Sequence, residues 1–172
     1  MVYNADSLVT SATDANSHTV AQTFDNNGRP LVTTKANGNT FTNTFDATGK
    51  KGLLSSTTDG NSHIITHSYT ARNQKSSVAY PDSTSESWTY NANGELASHT
   101  DGRSYTTNFT LDHAGRLTGI VFPHDTAVSL TYDSAGRKTG MTDGLGSTGW
   151  TFDNANGCTQ IAQPNGTVTY GL

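Results

Sequence analysis

The sequence predicts an all-β protein built from tandem antiparallel β-hairpin repeats that form a coiled, spiral sheet. The first observation behind this prediction is an aromatic or leucine residue that returns about every 21 residues, followed by Asp or Asn. The second is a glycine three residues after that Asp or Asn, and the third is a composition rich in Thr and aromatic residues but poor in Pro. A fixed period of this size indicates a repeat architecture. We call the recurring residues anchors: Tyr3, Phe24, Phe45, Tyr69, Tyr90, Leu111, Tyr132, Phe152 and Tyr170.

Each anchor ends a segment in which apolar and polar residues alternate. Before Tyr132 the apolar residues are Val128 and Leu130, spaced by two. That spacing is typical of a strand with one covered face. A hydroxyl residue directly precedes every anchor from the second onward, which places it on the opposite face. These residues are Thr23, Thr44, Ser68, Thr89, Thr110, Thr131, Thr151 and Thr169.

A turn signal follows each anchor. Asp at the first turn position can accept hydrogen bonds from backbone N–H groups further along the turn. Gly at the fourth position tolerates the positive φ that a type I turn with a following bulge requires. The predicted turn glycines are Gly28, Gly49, Gly94, Gly115, Gly136 and Gly157, and Asn73 takes this position where glycine is missing. Asp153 to Gly157 predicts a turn one residue longer, with Cys158 where other repeats have Arg.

A second turn signal, such as Asp59-Gly60-Asn61, falls about half a period after each first turn. Two turns per ~21 residues leave strands of about six residues, so each repeat is predicted to be one hairpin. Eight hairpins give about 16 strands, and twist should make so long a sheet coil. We find no linker or change in composition, so residues 1–172 are predicted to be a single array of about eight repeats.

Composition excludes several classes of partner. The net charge is −4 without a basic stripe, which disfavours nucleic acid and anionic lipid. No run approaches the ~20 apolar residues of a membrane span, so membrane insertion is not expected. Cys158 is the only cysteine, which excludes an internal disulfide.

The array is predicted to be uncapped at both ends. Tyr3 begins a repeat at the start of the sequence, and Tyr170 begins another at its end. Stacked repeats need terminal caps, and a bare strand edge invites pairing. Two interpretations remain open: the chain is part of a longer array, or copies of it assemble edge to edge.

The repeat motif is similar to the YD repeat of the Rhs family. The similarity is carried by Tyr132-Asp133-Ser134-Ala135-Gly136-Arg137, by Leu111 to Thr118 and by Phe24 to Arg29, and it extends over the whole chain in about eight units. That family includes bacterial polymorphic toxins, shell-forming components of insecticidal toxin complexes, and animal teneurins. The resemblance implies a β-sheet strip that spirals into a hollow shell in a secreted or cell-surface protein. The Asp-Pro motif that closes the family's shells is missing, so neither self-cleavage nor toxicity is inferred.

Three groups of residues resemble ligand or metal sites, but their spacing favours structural roles. The pairs Asp25/Arg29, Asp112/Arg116 and Asp133/Arg137 favour a structural interpretation, a turn carboxylate that bonds backbone beside a weakly interacting cation. His63 and His67 are too far apart along a strand to share one metal. The Asp/Asn/Gly turns lack the pattern of a calcium loop.

Aromatic side chains raise a glycan-binding alternative. Trp88 and Trp150 share the face of the anchors and are expected to be structural, whereas Tyr80 and Tyr105 lie beside second turns and are candidate glycan contacts.

The sequence thus favours a non-catalytic structural repeat protein, a segment of an Rhs-like shell or filament wall. No catalytic, cofactor-binding or metal-binding residues are assigned, and no cofactor is expected. The expected partners are further repeats in the same chain or copies of the chain. The alternative is a glycan-binding adhesin module.

Overall fold

A computed structural model describes residues 1–46 and 52–170, and every regular element in these ranges is a β-strand. The all-β prediction is therefore confirmed. No helix of the described ranges is both long and apolar enough to cross a bilayer. The chain divides into two compact units, Met1–Ser87 and a second that begins at Trp88, and the boundary falls inside strand β9.

The first unit is an antiparallel meander in which each strand pairs with the next along the chain. Its strands are β1 (Val2–Tyr3), β2 (Val9–Thr13), β3 (Thr19–Phe24), β4 (Pro30–Thr34), β5 (Thr40–Phe45), β6 (Leu54–Asp59), β7 (Ile64–Tyr69), β8 (Lys75–Ala79) and the start of β9 (Ser85–Tyr90).

The second unit repeats the same meander. After the end of β9 its strands are β10 (Leu96–Thr100), β11 (Thr106–Leu111), β12 (Leu117–Val121), β13 (Val128–Tyr132), β14 (Lys138–Asp143), β15 (Gly146–Phe152), β16 (Cys158–Gln163) and β17 (Gly166–Thr169). Short connections between strands enforce antiparallel neighbours in both units.

The two faces of the strands differ as the alternation predicts. All eight hydroxyl residues that precede an anchor are exposed, and the anchors from Phe24 to Phe152 are half-buried. Among the described residues, only Val78 is fully buried, at 4% exposure. The expectation that the aromatic face is buried as a core is thus corrected to partial cover. Where a contact over an anchor ring is seen, a side chain of the preceding repeat supplies it, as Arg116 does for Tyr132.

A β-bulge recurs just before the anchor in both units. Tyr132 pairs with Lys138 and Thr131 with Gly140, so Thr139 is an extra residue in β14. The hydroxyls of Thr131 and Thr139 lie 3.1 Å apart, and those of Thr151 and Thr159 lie 2.9 Å apart. In these two repeats the hydroxyl that precedes the anchor bonds the bulge residue, and bulges increase local twist.

Candidate functional site: arginine bridges between repeats

The first turn of a repeat is held by one carboxylate. In the turn that begins at Asp25, the Asp25 N–H donates to the carbonyl of Arg29 (2.9 Å) and the Gly28 N–H donates to the carbonyl of Asp25 (3.0 Å). Asp25 Oδ1 accepts hydrogen bonds from the backbone N–H groups of Asn27 and Arg29, both at 2.9 Å. Gly28 has φ of 75°, a conformation that favours glycine.

The same backbone bonds recur at the other first turns and at most second turns. Positive φ falls on Gly94, Gly115 and Gly136, and also on Asn73. At the second turns serine often takes this conformation, as at Ser17, Ser62 and Ser104. The sequence analysis did not single out serine, because an isolated serine in a loop carries no signal for positive φ.

The turn that begins at Asp153, in the last repeat, differs in length from the predicted turn. Asn156 has φ of 69°, and the Asp153 N–H donates to the carbonyl of Gly157 at 2.9 Å. The turn therefore has the ordinary length, and Gly157 takes the position that Arg137 has in the preceding repeat. Cys158 pairs with Phe152, as Lys138 pairs with Tyr132. The assignment of Gly157 to the turn position and of Cys158 to the arginine position is corrected, because Asn156 has the positive φ, and Asn is among the few residues other than glycine that adopt this conformation.

The turn after Phe45 is longer than the others. The Asp46 N–H donates to the carbonyl of Leu53 at 2.9 Å, and Gly52 has φ of 70°. The predicted turn glycine Gly49 lies outside the described residues. The longer turn accounts for the spacing of 24 between Phe45 and Tyr69, since the other first turns close over five residues.

The arginine that follows the turn glycine connects its own turn to the next repeat. Arg116 Nε donates to Asp112 Oδ2 at 2.7 Å within its own turn. Its Nη1 donates to the carbonyl of Asp133 at 3.2 Å, in the following first turn. The guanidinium lies 4.8 Å from the ring centroid of Tyr132, the next anchor. We call such a set of a turn carboxylate, an arginine and the next anchor ring an arginine bridge.

Two further arginine bridges share this geometry. Arg137 bonds Asp133 Oδ2 at 2.6 Å, the carbonyl of Asp153 at 3.1 Å and Asn156 Oδ1 at 2.9 Å, and lies 4.7 Å from the Phe152 ring. In the first unit, Arg29 bonds Asp25 Oδ2 at 2.6 Å and the carbonyl of Gly52 at 2.8 Å. Its guanidinium lies 4.3 Å from the ring centroid of Phe45.

Only half of this arrangement is predicted by the sequence. The turn carboxylate bonds backbone as expected, since Asp112 Oδ1 accepts hydrogen bonds from the N–H groups of Ala114 and Arg116. The contact of the arginine with the following repeat was not predicted. The sequence does contain a signal for this contact: an aromatic anchor lies 16 residues after the arginine, as at Arg29/Phe45 and Arg116/Tyr132.

Other residues at the arginine position also approach the next turn. A Cβ at Gly28 would lie 3.4 Å from Leu8 Cδ1, and a Cβ at Gly115 would lie 2.5 Å from Glu95 Oε1. In the arginine bridges the side chain at this position donates to the first residue of the turn. Here the direction is reversed, because Glu95 Oε2 accepts a hydrogen bond from Asn91 Nδ2 at 2.7 Å. One side-chain position per repeat thus lies against the glycine of the following first turn.

The bridge carboxylates have lowered pKa values. The hydrogen bond from the Arg137 side chain is the main cause for Asp133, and that from the Arg29 side chain is the main cause for Asp25. For Asp112 the backbone N–H of Arg116 is the largest cause of the lowered pKa. These groups stabilise the ionised carboxylate, which favours the charged bridge near neutral pH.

Anchor tyrosines add a second connection between repeats. The Tyr132 hydroxyl donates to the carbonyl of Leu117 at 2.8 Å, and the Tyr69 hydroxyl donates to the carbonyl of Leu54 at 3.0 Å. Both carbonyls belong to the preceding hairpin. The hydroxyls of Tyr69 and Tyr132 therefore hold these two anchors to the preceding repeat.

The other aromatic candidates occupy different environments. Trp88 stacks on His99 at 5.2 Å, and Lys138 Nζ lies 4.4 Å from the Trp150 ring. The Tyr80 hydroxyl donates to Glu86 Oε1 at 3.0 Å, and its side chain is only partly exposed. Tyr105 is 39% exposed.

The histidines form separate pairs with aspartates of second turns. His63 Nδ1 lies 3.0 Å from Asp59 Oδ2, and His18 Nδ1 lies 3.1 Å from Asp14 Oδ2. His67 lies in β7 and makes no contact that joins it to His63. Across residues 1–46 and 52–170, no three His, Cys, Asp or Glu side chains converge as a metal-ligand set.

The repeated hairpins and their bridges define a class: a tandem β-hairpin repeat protein whose neighbouring repeats are joined by turn side chains. The model of the RHS Repeat family matches residues 3–40, 90–127 and 112–148, more than half of the chain. The chain belongs to the RHS Repeat family.

Solved structures share the fold at low sequence identity. One is a Tc holotoxin pore of Photorhabdus luminescens with a mutation in TccC3, at 17% identity and a TM-score of 0.64 over 89% of this chain. Another is the TcdB2-TccC3 crystal structure, at 16% identity and a TM-score of 0.67 over 98% of this chain. This chain covers 9% and 12% of those chains, respectively. No curated protein matches it.

Proposed function

We propose that this chain is a non-catalytic structural segment of an Rhs-like wall, either a shell or a self-assembling filament. In this proposal residues 1–172 form one array of about eight repeats, and the anchors and turn glycines have structural roles. Its partners are further repeats of the same chain or copies of it, paired edge to edge. We place the protein outside the cell or at its surface.

The observation that carries the proposal is the arginine bridge. Arg116 and Arg137 each donate a hydrogen bond to the next turn and lie over the next anchor ring. Side chains used in this way stabilise stacking of repeats and leave little for a substrate. Family membership and the fold shared with the Tc structures also support the proposal.

The test extends the array. Since repeat arrays gain stability from each added interface, a tandem copy of residues 112–132 inserted after residue 132 should raise the free energy of unfolding. A matched control insert carries Arg116→Ala in the added copy, and should raise the free energy of unfolding less. Electron microscopy of the extended chain should show filaments or curved sheets. An unchanged free energy of unfolding for both inserts would contradict a wall built by stacking.

A glycan-binding adhesin module is the second candidate, and Tyr105 favours it. Its ring is 39% exposed, meets His124 edge-on at 4.4 Å and lies 5.0 Å from the Arg103 guanidinium. Exposed rings beside polar groups can stack on sugars. Tyr80, the other candidate contact, is less accessible. The test is binding to a glycan array. Binding that is abolished by Tyr105→Ala and unchanged by Tyr170→Ala would favour this candidate over the wall.

A further inference from the structure

We propose that a groove in the first unit binds a basic side chain, an arginine or lysine presented by an extended peptide segment. The groove has a volume of about 560 Å³. It lies between the turn that follows β6 and the turn that follows β8, and we call it the β6–β8 groove. Its walls include Phe41, Asp59, His63, Ile65, Tyr80 and Asp82. This inference goes beyond the structural role proposed above and does not depend on it.

The floor of the β6–β8 groove suits the aliphatic part of a long side chain. Phe41 pairs in register with Asp59, and Thr57 pairs with Ile65, so two pairs of adjacent strands supply the ring, the methyl groups and one carboxylate. Pro81 adds a further apolar surface. Arginine and lysine lay their methylene stems along such surfaces while the charged end reaches a polar site.

The charge of the groove favours a cation. Asp82 Oδ1 accepts two hydrogen bonds from Thr84, at 3.0 Å from the backbone N–H and 2.7 Å from the hydroxyl. Among the described residues Asp82 Oδ2 has no hydrogen-bond partner, so it remains available as an acceptor. The Thr84 hydrogen bonds lower the pKa of Asp82 and keep it ionised. The hydrogen bond that the Tyr80 hydroxyl donates to Glu86 is the main cause of the raised pKa of Tyr80, followed by burial and then by the charges of Glu86 and Asp82.

The chain itself places basic side chains on rings of this kind. Lys35 Nζ lies 4.5 Å from the Phe41 ring centroid, at the wall of the groove. In each arginine bridge a guanidinium lies over an anchor ring while a carboxylate holds it from the side. Tyr80 and Asp82 supply a ring and a carboxylate to one groove, and no cation of the described residues lies over the Tyr80 ring. A cation from outside the described chain would complete the set.

A neutral or anionic occupant fits less well. Asp59 and Asp82 line the groove, and Glu86 accepts a hydrogen bond from the Tyr80 hydroxyl. Of the basic groups of the described residues, Lys35 lies over the Phe41 ring and His63 pairs with Asp59. An anion at the Tyr80 end of the groove would be repelled by the Asp82 carboxylate. A guanidinium can instead bond a carboxylate in two places and stack on a tyrosine ring.

The test uses the whole chain, labelled for NMR, and two acetylated and amidated tripeptides. One peptide is Leu-Arg-Leu, and the matched control replaces arginine with citrulline, which is isosteric but uncharged. We expect saturable shifts of the Tyr80, Asp82 and His63 resonances with the arginine peptide. Citrulline should weaken binding about tenfold, in keeping with the loss of a cation–π contact and a charge-assisted hydrogen bond.

Variants assign the effect to the groove. Asp82→Asn and Tyr80→Leu should each weaken binding of the arginine peptide about five- to tenfold. The matched controls Asp125→Asn and Tyr105→Leu lie in the second unit and should leave it unchanged. Equal binding of the two peptides, shifts confined to other residues, no saturable shift, or a sugar that displaces the peptide with tighter binding would each overturn the proposal.

Discussion

The guanidinium of Arg116 lies 4.8 Å from the ring centroid of Tyr132, and the Tyr132 hydroxyl donates to the carbonyl of Leu117, the residue after Arg116. One anchor is thus held by two adjacent residues of the preceding repeat. The ring takes the cation on its face and the hydroxyl bonds the backbone, so both polar and apolar parts of Tyr132 serve the contact between repeats.

Replacement of Arg116 by Ala should destabilise the chain by about 1–2 kcal/mol, because it removes a cation–π contact and hydrogen bonds to two turns. Urea unfolding followed by the fluorescence of Trp150 measures this loss. The control is Arg103→Ala. Among the described residues its guanidinium bonds only Asp101 of the same turn and contacts Tyr105 of the same hairpin, and its side chain is 77% exposed. We expect the control to leave the unfolding midpoint unchanged, and equal effects of the two variants would contradict a special role for the bridge.

The hydroxyl of Tyr132 can be tested separately from its ring. Tyr132→Phe keeps the ring under Arg116 but removes the bond to Leu117, and should cost about 0.5–1.5 kcal/mol of unfolding free energy. Tyr105→Phe is the matched control, since the Tyr105 hydroxyl has no hydrogen-bond partner among the described residues. Double-mutant cycles with Arg116→Ala then measure how strongly the two contacts depend on each other. A cost for Tyr132→Phe no larger than that of the control would show that the hydroxyl does not contribute.

Acid should weaken the bridges. Folding lowers the pKa of Asp25, Asp112 and Asp133 from the ordinary value of 3.8. The unfolded chain therefore binds more protons than the folded chain in this range, and stability falls as the pH falls. The contribution of the three carboxylates is complete above the ordinary pKa and disappears as the pH drops through the lower folded-state values.

The measurement is the urea midpoint between pH 7 and pH 2 for the wild type and for Asp133→Asn. The variant should start lower at pH 7 and lose less on acidification, since one of the titrating bridges is already absent. Asp125→Asn is the control, because Asp125 bonds only the Thr126 N–H and faces no arginine in the described ranges. Parallel curves for wild type and Asp133→Asn would rule out the bridge as a source of acid sensitivity.

The repeat, its hairpins and the exposed hydroxyl position could be predicted from sequence, because strand alternation and turn residues act locally. Thr131 precedes Tyr132 at a fixed spacing, and that spacing alone places the two on opposite faces. The arginine bridge could not be predicted in the same way. Arg116 meets the turn of Asp133 only because the intervening strands β12 and β13 pair in register, with Gly119 opposite Ser129. Asn156 and Gly157 were assigned wrongly because both residue types suit a turn, and only the backbone bonds of Asp153 separate them.

Two glycines of the first unit provide the sharpest test of how closely repeats approach. Gly52 and Gly38 both have positive φ, at 70° and 83°, so alanine at either position costs about 1–2 kcal/mol of backbone strain. A Cβ at Gly38 would meet nothing within 4 Å, whereas a Cβ at Gly52 would lie 1.8 Å from Arg29 Nη1. Arg29 would have to leave the carbonyl of Gly52 and its place over Phe45. Gly52→Ala should therefore cost about 1–2 kcal/mol more than Gly38→Ala in urea unfolding. In an Arg29→Ala background that difference should vanish, because the guanidinium that the methyl group displaces is no longer there. A difference that persists without Arg29 would place the strain in the turn itself and not in the contact between repeats.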